Sequence, residues 1–113
     1  MARDNGAKGR DCEARAASFL ERSGYRVMQR NVRLPGGEID LICQDGEILV
    51  FVEVKSRTTS RFGSAFSAVD ARKRSKLRRL AADYVQIVAP NARVRFDVVA
   101  EDGDRMTLHR NAF

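Results

Sequence analysis

Histidine, cysteine and proline are scarce in this 113-residue chain, and no apolar run is long enough to span a bilayer. The lone His109 and the two cysteines, Cys12 and Cys43, far apart and forming no CxxC pair, exclude a zinc-finger type of site and a disulfide framework. Both thiols are therefore expected to be buried or idle. The first twenty residues carry charges throughout and lack the apolar run of a signal peptide, so the chain is expected in the cytoplasm and not at a membrane. Repeats and low-complexity segments are absent as well. Acids are in the minority, 15 against 21 Lys and Arg, for a net charge of +6. That balance favours a polyanionic partner. Nucleic acid is the commonest such partner, although ribosomal or membrane-surface binding would fit the charge alone. A 43% apolar content in a chain of this length suits a single domain, residues 1–113, without a linker.

Hydrophobic spacing predicts a helix from Asp11 to Ser23. Ala16, Ala17 and Leu20 form its stripe, Glu13 opens the same face, and Gly24 follows as a C-terminal stop. A weak strand, Tyr25 to Arg33, leads into a turn at Leu34-Pro35-Gly36-Gly37. Two stronger strands follow, Glu38 to Gln44 and Ile48 to Ser56, joined by a hairpin signal at Asp45-Gly46. The run Ile48-Leu49-Val50-Phe51-Val52 is apolar at both parities, as in a strand buried on both faces. Arg57 to Gly63 is polar and aperiodic, a loop. An amphipathic helix is predicted from Ser67 to Val88 on the spacing of Leu77, Leu80, Ala81, Tyr84 and Val88, with Pro90 just beyond it. A strand from Val94 to Ala100, a turn at Asp102-Gly103 and a short strand from Met106 to His109 complete the order: helix, three strands, helix, two strands. The second helix should act as a crossover that makes the fourth strand parallel to the third, giving a mixed α/β sheet.

Glu53-Val54-Lys55 continues the most apolar run without a turn residue between, where unpaired charge is costly. Residues two apart on a strand share a face, so Glu53 and Lys55 point the same way. With Asp45-Gly46 as a two-residue loop, Gln44 pairs with Glu47, Asp40 with Phe51, and Glu38 with Glu53. Asp40 then lies on the Glu53 face, diagonal to it at roughly 7 to 8 Å. The same register sets Glu38 against Glu53, a like-charge pair that a cation would relieve. Two hard oxygen ligands suit Mg²⁺ or Mn²⁺, which could activate a water and stabilise a phosphate under attack. Lys55 would orient or deprotonate that water, or neutralise the transition state, and Glu13 could complete the ligand set. The bare residues also fit an ordinary strand-end ion pair with Asp40 bracing the hairpin.

Over nearly its whole length the chain resembles the YraN-like family of small bacterial proteins. The resemblance lies in Gly9 and Glu13; Gly24-Tyr25; Asn31-Val32-Arg33; Gly37-Glu38-Ile39-Asp40-Leu41-Ile42; Val50-Phe51-Val52-Glu53-Val54-Lys55-Ser56-Arg57; Phe62-Gly63; Ala68-Val69 with Lys73; and Arg95-Phe96-Asp97-Val98-Val99. Cys12 stands where that family usually has glycine. The family resembles a branch of the restriction-endonuclease-like superfamily, near the archaeal Holliday-junction resolvases. That resemblance implies a mixed sheet of about five strands with flanking helices. It also implies a helical glutamate at Glu13 and an Asp, Glu-x-Lys core at Asp40, Glu53 and Lys55.

Nucleic-acid contacts are expected from Arg72, Lys73, Lys76, Arg78 and Arg79 on the second helix, and from Arg57, Arg61 and Phe62 in the loop after the lysine. A solvated helix face is the plainer account of the same basic cluster. Asp97 reads as a structural partner for an arginine or a helix terminus, and Tyr84 as core. Three functions compete. The first is a Mg²⁺- or Mn²⁺-dependent endonuclease on structured or branched DNA, acting as a homodimer. The second is a non-catalytic nucleic-acid binder of the same fold, and the third a protein-interaction module in DNA uptake or repair. Three acids converging beside a lysine favour the first.

Overall fold

The computed structural model describes residues 2–58 and 64–113, with side chains from residue 10 onward. The chain runs α1 (Ala2–Arg22), β1 (Arg26–Leu34), β2 (Gly37–Asp45), β3 (Ile48–Arg57), a 3₁₀ turn (Phe66–Ala68), α2 (Ala71–Val88), β4 (Arg93–Asp102) and β5 (Arg105–His109). This is the expected order. α1 starts well before Asp11, because its first turns carry no apolar stripe from which periodicity could be read. It stops where glycine was expected. Gly24, at φ +96°, lets Tyr25 N–H reach Leu20 O (3.0 Å) and Gly24 N–H reach Glu21 O (3.1 Å), a Schellman close that also packs Tyr25 with Leu20. α2 starts later than the predicted Ser67. Asp70 is extended and its carboxylate accepts Lys73 N–H at 3.0 Å, so the helix begins at Ala71 and Ser67 falls in the 3₁₀ turn.

The five strands pair in sequence order, β1-β2-β3-β4-β5. β3 and β4 run parallel, as an intervening helix requires, and the other pairs are antiparallel. Each helix covers one face. Cys12, Ala16, Ala17 and Leu20 of α1 pack on Leu41, Cys43, Val50, Val52, Val54 and Val99, whereas Leu77, Leu80 and Ala81 of α2 pack on Ile39, Ile42 and Phe51. β3 thus alternates its apolar side chains between two helices, which explains apolar residues at both parities. Both cysteines are free and buried.

The hairpin register differs from the sequence reading by two residues. Asp45 pairs with Ile48, so the loop is Gly46-Glu47 and not Asp45-Gly46. Gly46 at φ +61° takes the first loop position and Glu47 needs no positive φ, the pattern of a type II′ turn. Gly103-Asp104 repeats the arrangement between the paired Asp102 and Arg105. A shift of two preserves parity from Leu41 onward, but the alternation of β2 breaks at Asp40: Ile39 packs with Ile42 against α2 while Leu41 faces α1, which turns Glu38 away from the face of Glu53 expected for it. The shift also removes the expected opposition of Glu38 and Glu53: Glu38 pairs with Arg33 on β1 instead, with a carboxylate to guanidinium distance of 3.8 Å. Arg57, expected in a loop, is the last residue of β3. Arg61, Phe62 and Gly63 lie outside the described residues.

Asp97 is fully buried and fully satisfied. Tyr25 OH donates to it at 2.5 Å, Arg95 Nε and Nη2 at 2.9 Å each, and Asn111 N–H at 2.9 Å, while Arg95 Nη1 also reaches Asp45 at 3.0 Å. The expected arginine partner is thus Arg95. Burial alone would raise the Asp97 pKa, but the Arg95 bonds and then those from Tyr25 and Asn111 hold it below the usual value of 3.8. A depressed carboxyl contributes stability that is present above the unfolded pKa and lost as pH falls through the folded one. Asp97→Ala, which strands Arg95, should cost about 3–5 kcal/mol in urea titrations at pH 7. Its deficit should shrink below about pH 4 as the wild type loses the same charge. A variant as stable as wild type at pH 7 would contradict the network's role.

Candidate functional site

β2 stays paired with β1 along its length, but its pairing with β3 ends at Leu41↔Val52. At the next step Asp40 offers its side chain in place of its backbone, and Oδ2 accepts Val54 N–H at 2.9 Å. The sheet opens there, and the carboxylate satisfies a strand N–H that the ladder leaves unpaired. Glu53 and Lys55 share parity with Phe51 and so belong to the α2 side. Glu13 opens the α1 face that packs on Val52 and Val54. Acids from opposite faces meet at the opening: Glu13, Glu38 and Asp40 each bring an oxygen within 4.8 Å of the others, and Glu53 joins through its carboxyl contact with Asp40.

The crowding shows in the proton affinities. Burial, then the Asp40 charge, pushes Glu13 up to about 7, and the same two causes push Glu53 up to about 7 against the opposing charges of Lys73 and Lys55. Burial raises Asp40 too, although the Val54 N–H bond works the other way. Lys55 is lowered from its ordinary value by burial and by the neighbouring Lys73. Oxygen-only donors carrying more negative charge than two lysines relieve fit a hard divalent cation such as Mg²⁺ or Mn²⁺.

These side chains line an open cleft of about 1050 Å³, together with Arg15, Arg57, Lys73 and Glu101. Lys73 was expected among the surface phosphate contacts, but the first turn of α2 brings it into the cleft beside the acids and Lys55. Arg72, Lys76, Arg78 and Arg79 are exposed along α2; the Lys76 stem lies against Gly37, and Arg78 also stacks on Phe113 at 5.4 Å. Cys12 is buried beneath the cleft among the residues that seat α1. Asn31 was not expected at all. Falling opposite Asp40 with φ +53°, and with its amide nitrogen turned toward the acids, it donates to Glu13 and to Glu38 Oε1 (3.1 Å). Asparagine is among the few non-glycine residues that adopt that backbone, which is the one signal its position offered.

Residues 12–100, which span the helical glutamate, both strand acids and both lysines, match the model of the Uncharacterised protein family UPF0102. The chain belongs to this family. UPF0102 is the YraN-like family that the motifs resembled. A UPF0102 protein of Dechloromonas aromatica (strain RCB) is 49% identical over 107 residues, covering 95% of this chain and 88% of that one. UPF0102 proteins of Shewanella loihica and Moorella thermoacetica are 44% and 48% identical, covering 94% and 87% of this chain and 93% and 82% of theirs.

The cluster dictates a pH response of its own. Glu13 and Glu53 hold protons in the folded chain up to about 7 that the unfolded chain releases near 4.5, so folding stability should fall as pH rises between those values. The Asp97 effect lies below this window. Melting curves in a chelator should therefore drop from about pH 5 to about pH 8, and added Mn²⁺ should flatten the drop. Asp40→Asn removes a charge while its amide oxygen can still accept Val54 N–H, so it should melt higher than wild type at pH 8 in chelator. It should also bind Mn²⁺ at least 10- to 100-fold more weakly, roughly, by calorimetry. A flat wild-type profile, or unchanged Mn²⁺ affinity in the variant, would contradict the clustered acids.

Proposed function

We propose that this chain is a divalent-metal-dependent endonuclease that hydrolyses phosphodiester bonds in structured or branched cytoplasmic DNA, as a homodimer where a symmetric junction is cut. One observation carries the reading: acids from both faces of the sheet converge at its opening, with a half-buried lysine two residues along the strand from one of them. Asp40, Glu53 and Glu13 would hold Mg²⁺ or Mn²⁺, with the Asn31 amide of β1 steadying Glu13. Bound there, the cation would supply Lewis acidity toward the phosphate and a lower pKa for the attacking water.

The remaining chemistry belongs to the side chains. Lys55 is shifted toward its neutral form, the direction that suits a group taking a proton from the attacking water. Lys73 places a second amine beside Lys55 and the acids, where a phosphate oxygen could be met. Arg72, Lys76 and Arg79, exposed on α2, offer phosphate contacts that position a backbone without reading its bases. No helix among the described residues is long and apolar enough to cross a membrane.

The exposed basic face of α2 favours a second reading, a nucleic-acid binder that does not cleave. Cleavage of a fixed four-way junction and of the matching linear duplex, with Mg²⁺ and Mn²⁺ titrated in, separates the two. Junction cleavage should require metal and should fall by roughly 10³-fold in Asp40→Ala and in Glu53→Ala. Activity indifferent to both substitutions would refute the nuclease reading. Salt-sensitive binding that neither cleaves nor responds to metal would assign the chain to the binders.

A further inference from the structure

The arginines that meet the folded core or the cleft are mostly answered. Arg15 forms a fork with Glu101 at 2.7 and 2.8 Å, Arg95 is held by Asp97 and Asp45, and Arg74 donates to Val69 O at 2.9 Å and stacks on Phe66 and Phe113. Arg57 is the exception. Its Nε is buried, and among the described residues it is the only buried side-chain nitrogen or oxygen without a hydrogen-bond partner. No carboxylate is set to answer it. Asp102, its partner across β3 and β4, accepts Ala65 N–H at 2.7 Å instead. An unsatisfied buried donor of a permanent cation is a cost that persists only where something else recovers it.

Its position says what would recover it. Arg57 has the same strand parity as Glu53 and Lys55 and lines the same cleft. From the rise of a strand, Arg57 stands about 7 Å beyond Lys55 and about 13 Å beyond Glu53. The step from Lys55 is comparable to one nucleotide of extended backbone, and that from Glu53 to two. Guanidinium is the group best shaped to take two phosphate oxygens at once.

We propose that Arg57 is the receptor for a backbone phosphate one nucleotide beyond the phosphate that lies at Lys55, so that the substrate strand runs lengthwise along β3 from the acids toward Arg57. This rests on the phosphodiester reading of the site. The anion draws the guanidinium out to face it and satisfies the stranded Nε–H. Arg57 thereby sets the path of the strand and not the chemistry, and Lys55 and the acids keep their roles without it.

The test uses the full chain, Arg57→Gln and Arg57→Lys, with a labelled single-stranded oligonucleotide and a four-way junction. Binding of Arg57→Gln should weaken roughly tenfold or more at low salt. Its plot of log affinity against log salt for the single strand should flatten by about 0.7, the signature of one lost phosphate contact. Mn²⁺ affinity should stay as in wild type, and the melting temperature should hold or rise, since a stranded donor is removed. Arg57→Lys should recover the salt slope but not the full affinity. A methylphosphonate in place of the neighbouring phosphate should cost wild type what Arg57→Gln costs on the natural strand, and should cost Arg57→Gln nothing more. Additive losses, an unchanged salt slope or a lower melting temperature in Arg57→Gln would overturn the proposal. A changed salt slope in a protein that never cleaves would keep the phosphate receptor and remove the nuclease. Metal-dependent cleavage with an unchanged slope would do the reverse.

Discussion

A single hydrogen bond organises the molecule's chemistry: Val54 N–H donating to the carboxylate of Asp40. Had β2 continued its ladder with β3, Val54 N–H would face a backbone carbonyl, and the sheet would separate what lies under α1 from what lies under α2. Because a side chain takes that place, the strands part while no buried donor is lost. Glu13, seated by the face that buries Ala16, Ala17 and Leu20, can then meet Asp40, which also neighbours Glu53 on the face of Phe51. The same bond steadies Asp40 at the centre of the acids. Structural satisfaction and ligand placement are two consequences of one contact.

The order of elements was legible because each carries its own periodicity or breaker: the stripe ending in Gly24, the doubly apolar β3, and the capped and proline-stopped α2. The shared face of Glu53 and Lys55 follows from strand parity alone, and parity survives an even slip: reading the turn at Asp45-Gly46 when it lies at Gly46-Glu47 displaced every pairing by two and left the faces from Leu41 onward unchanged. Before Leu41 the alternation breaks at Asp40, which no turn signal announces. What the slip itself corrupts is the identity of neighbours, and the supposed opposition of Glu38 and Glu53 was an artefact of it. Lys73 looked like one basic residue among many along α2. Only the crossover, which docks the start of that helix beside the open end of β3, separates it from Arg72 and Arg79. Asn31 depends on a left-handed backbone within a strand, which asparagine tolerates but which strand periodicity does not announce.

Net charge is equally uninformative about the centre. The chain is +6 overall, yet its cleft is built around Glu13, Asp40 and Glu53, with proton affinities raised because burial and mutual repulsion outweigh two lysines. A basic exterior around an acidic focus is the arrangement that draws in a polyanion and then requires a cation at the point of contact. Either property alone would be ordinary: basic helices are commonly solvated faces, and acidic clusters are common on surfaces. Their coincidence on one cleft gives the nuclease reading its weight.

Buried charge in this fold divides into two kinds by how completely it is answered. Asp97 receives four hydrogen bonds and Glu101 a guanidinium fork plus Ser56, and both have lowered pKa values, Asp97 because its donors outweigh burial and Glu101 chiefly because of the Arg15 fork. Such groups tie distant segments together and leave nothing over for a ligand. Glu13, Asp40, Glu53, Lys55 and Arg57 are the opposite: the acids shifted up, the lysine shifted down, and the arginine left with a bare Nε. Folding alone would select against that second set, since each member would be stabilised by replacement with a neutral group. Their concentration in one cleft, beside a network that shows this same chain pairing buried charge thoroughly elsewhere, is explained if binding supplies the missing partners. A cation would answer the acids, and phosphates would answer the basic groups.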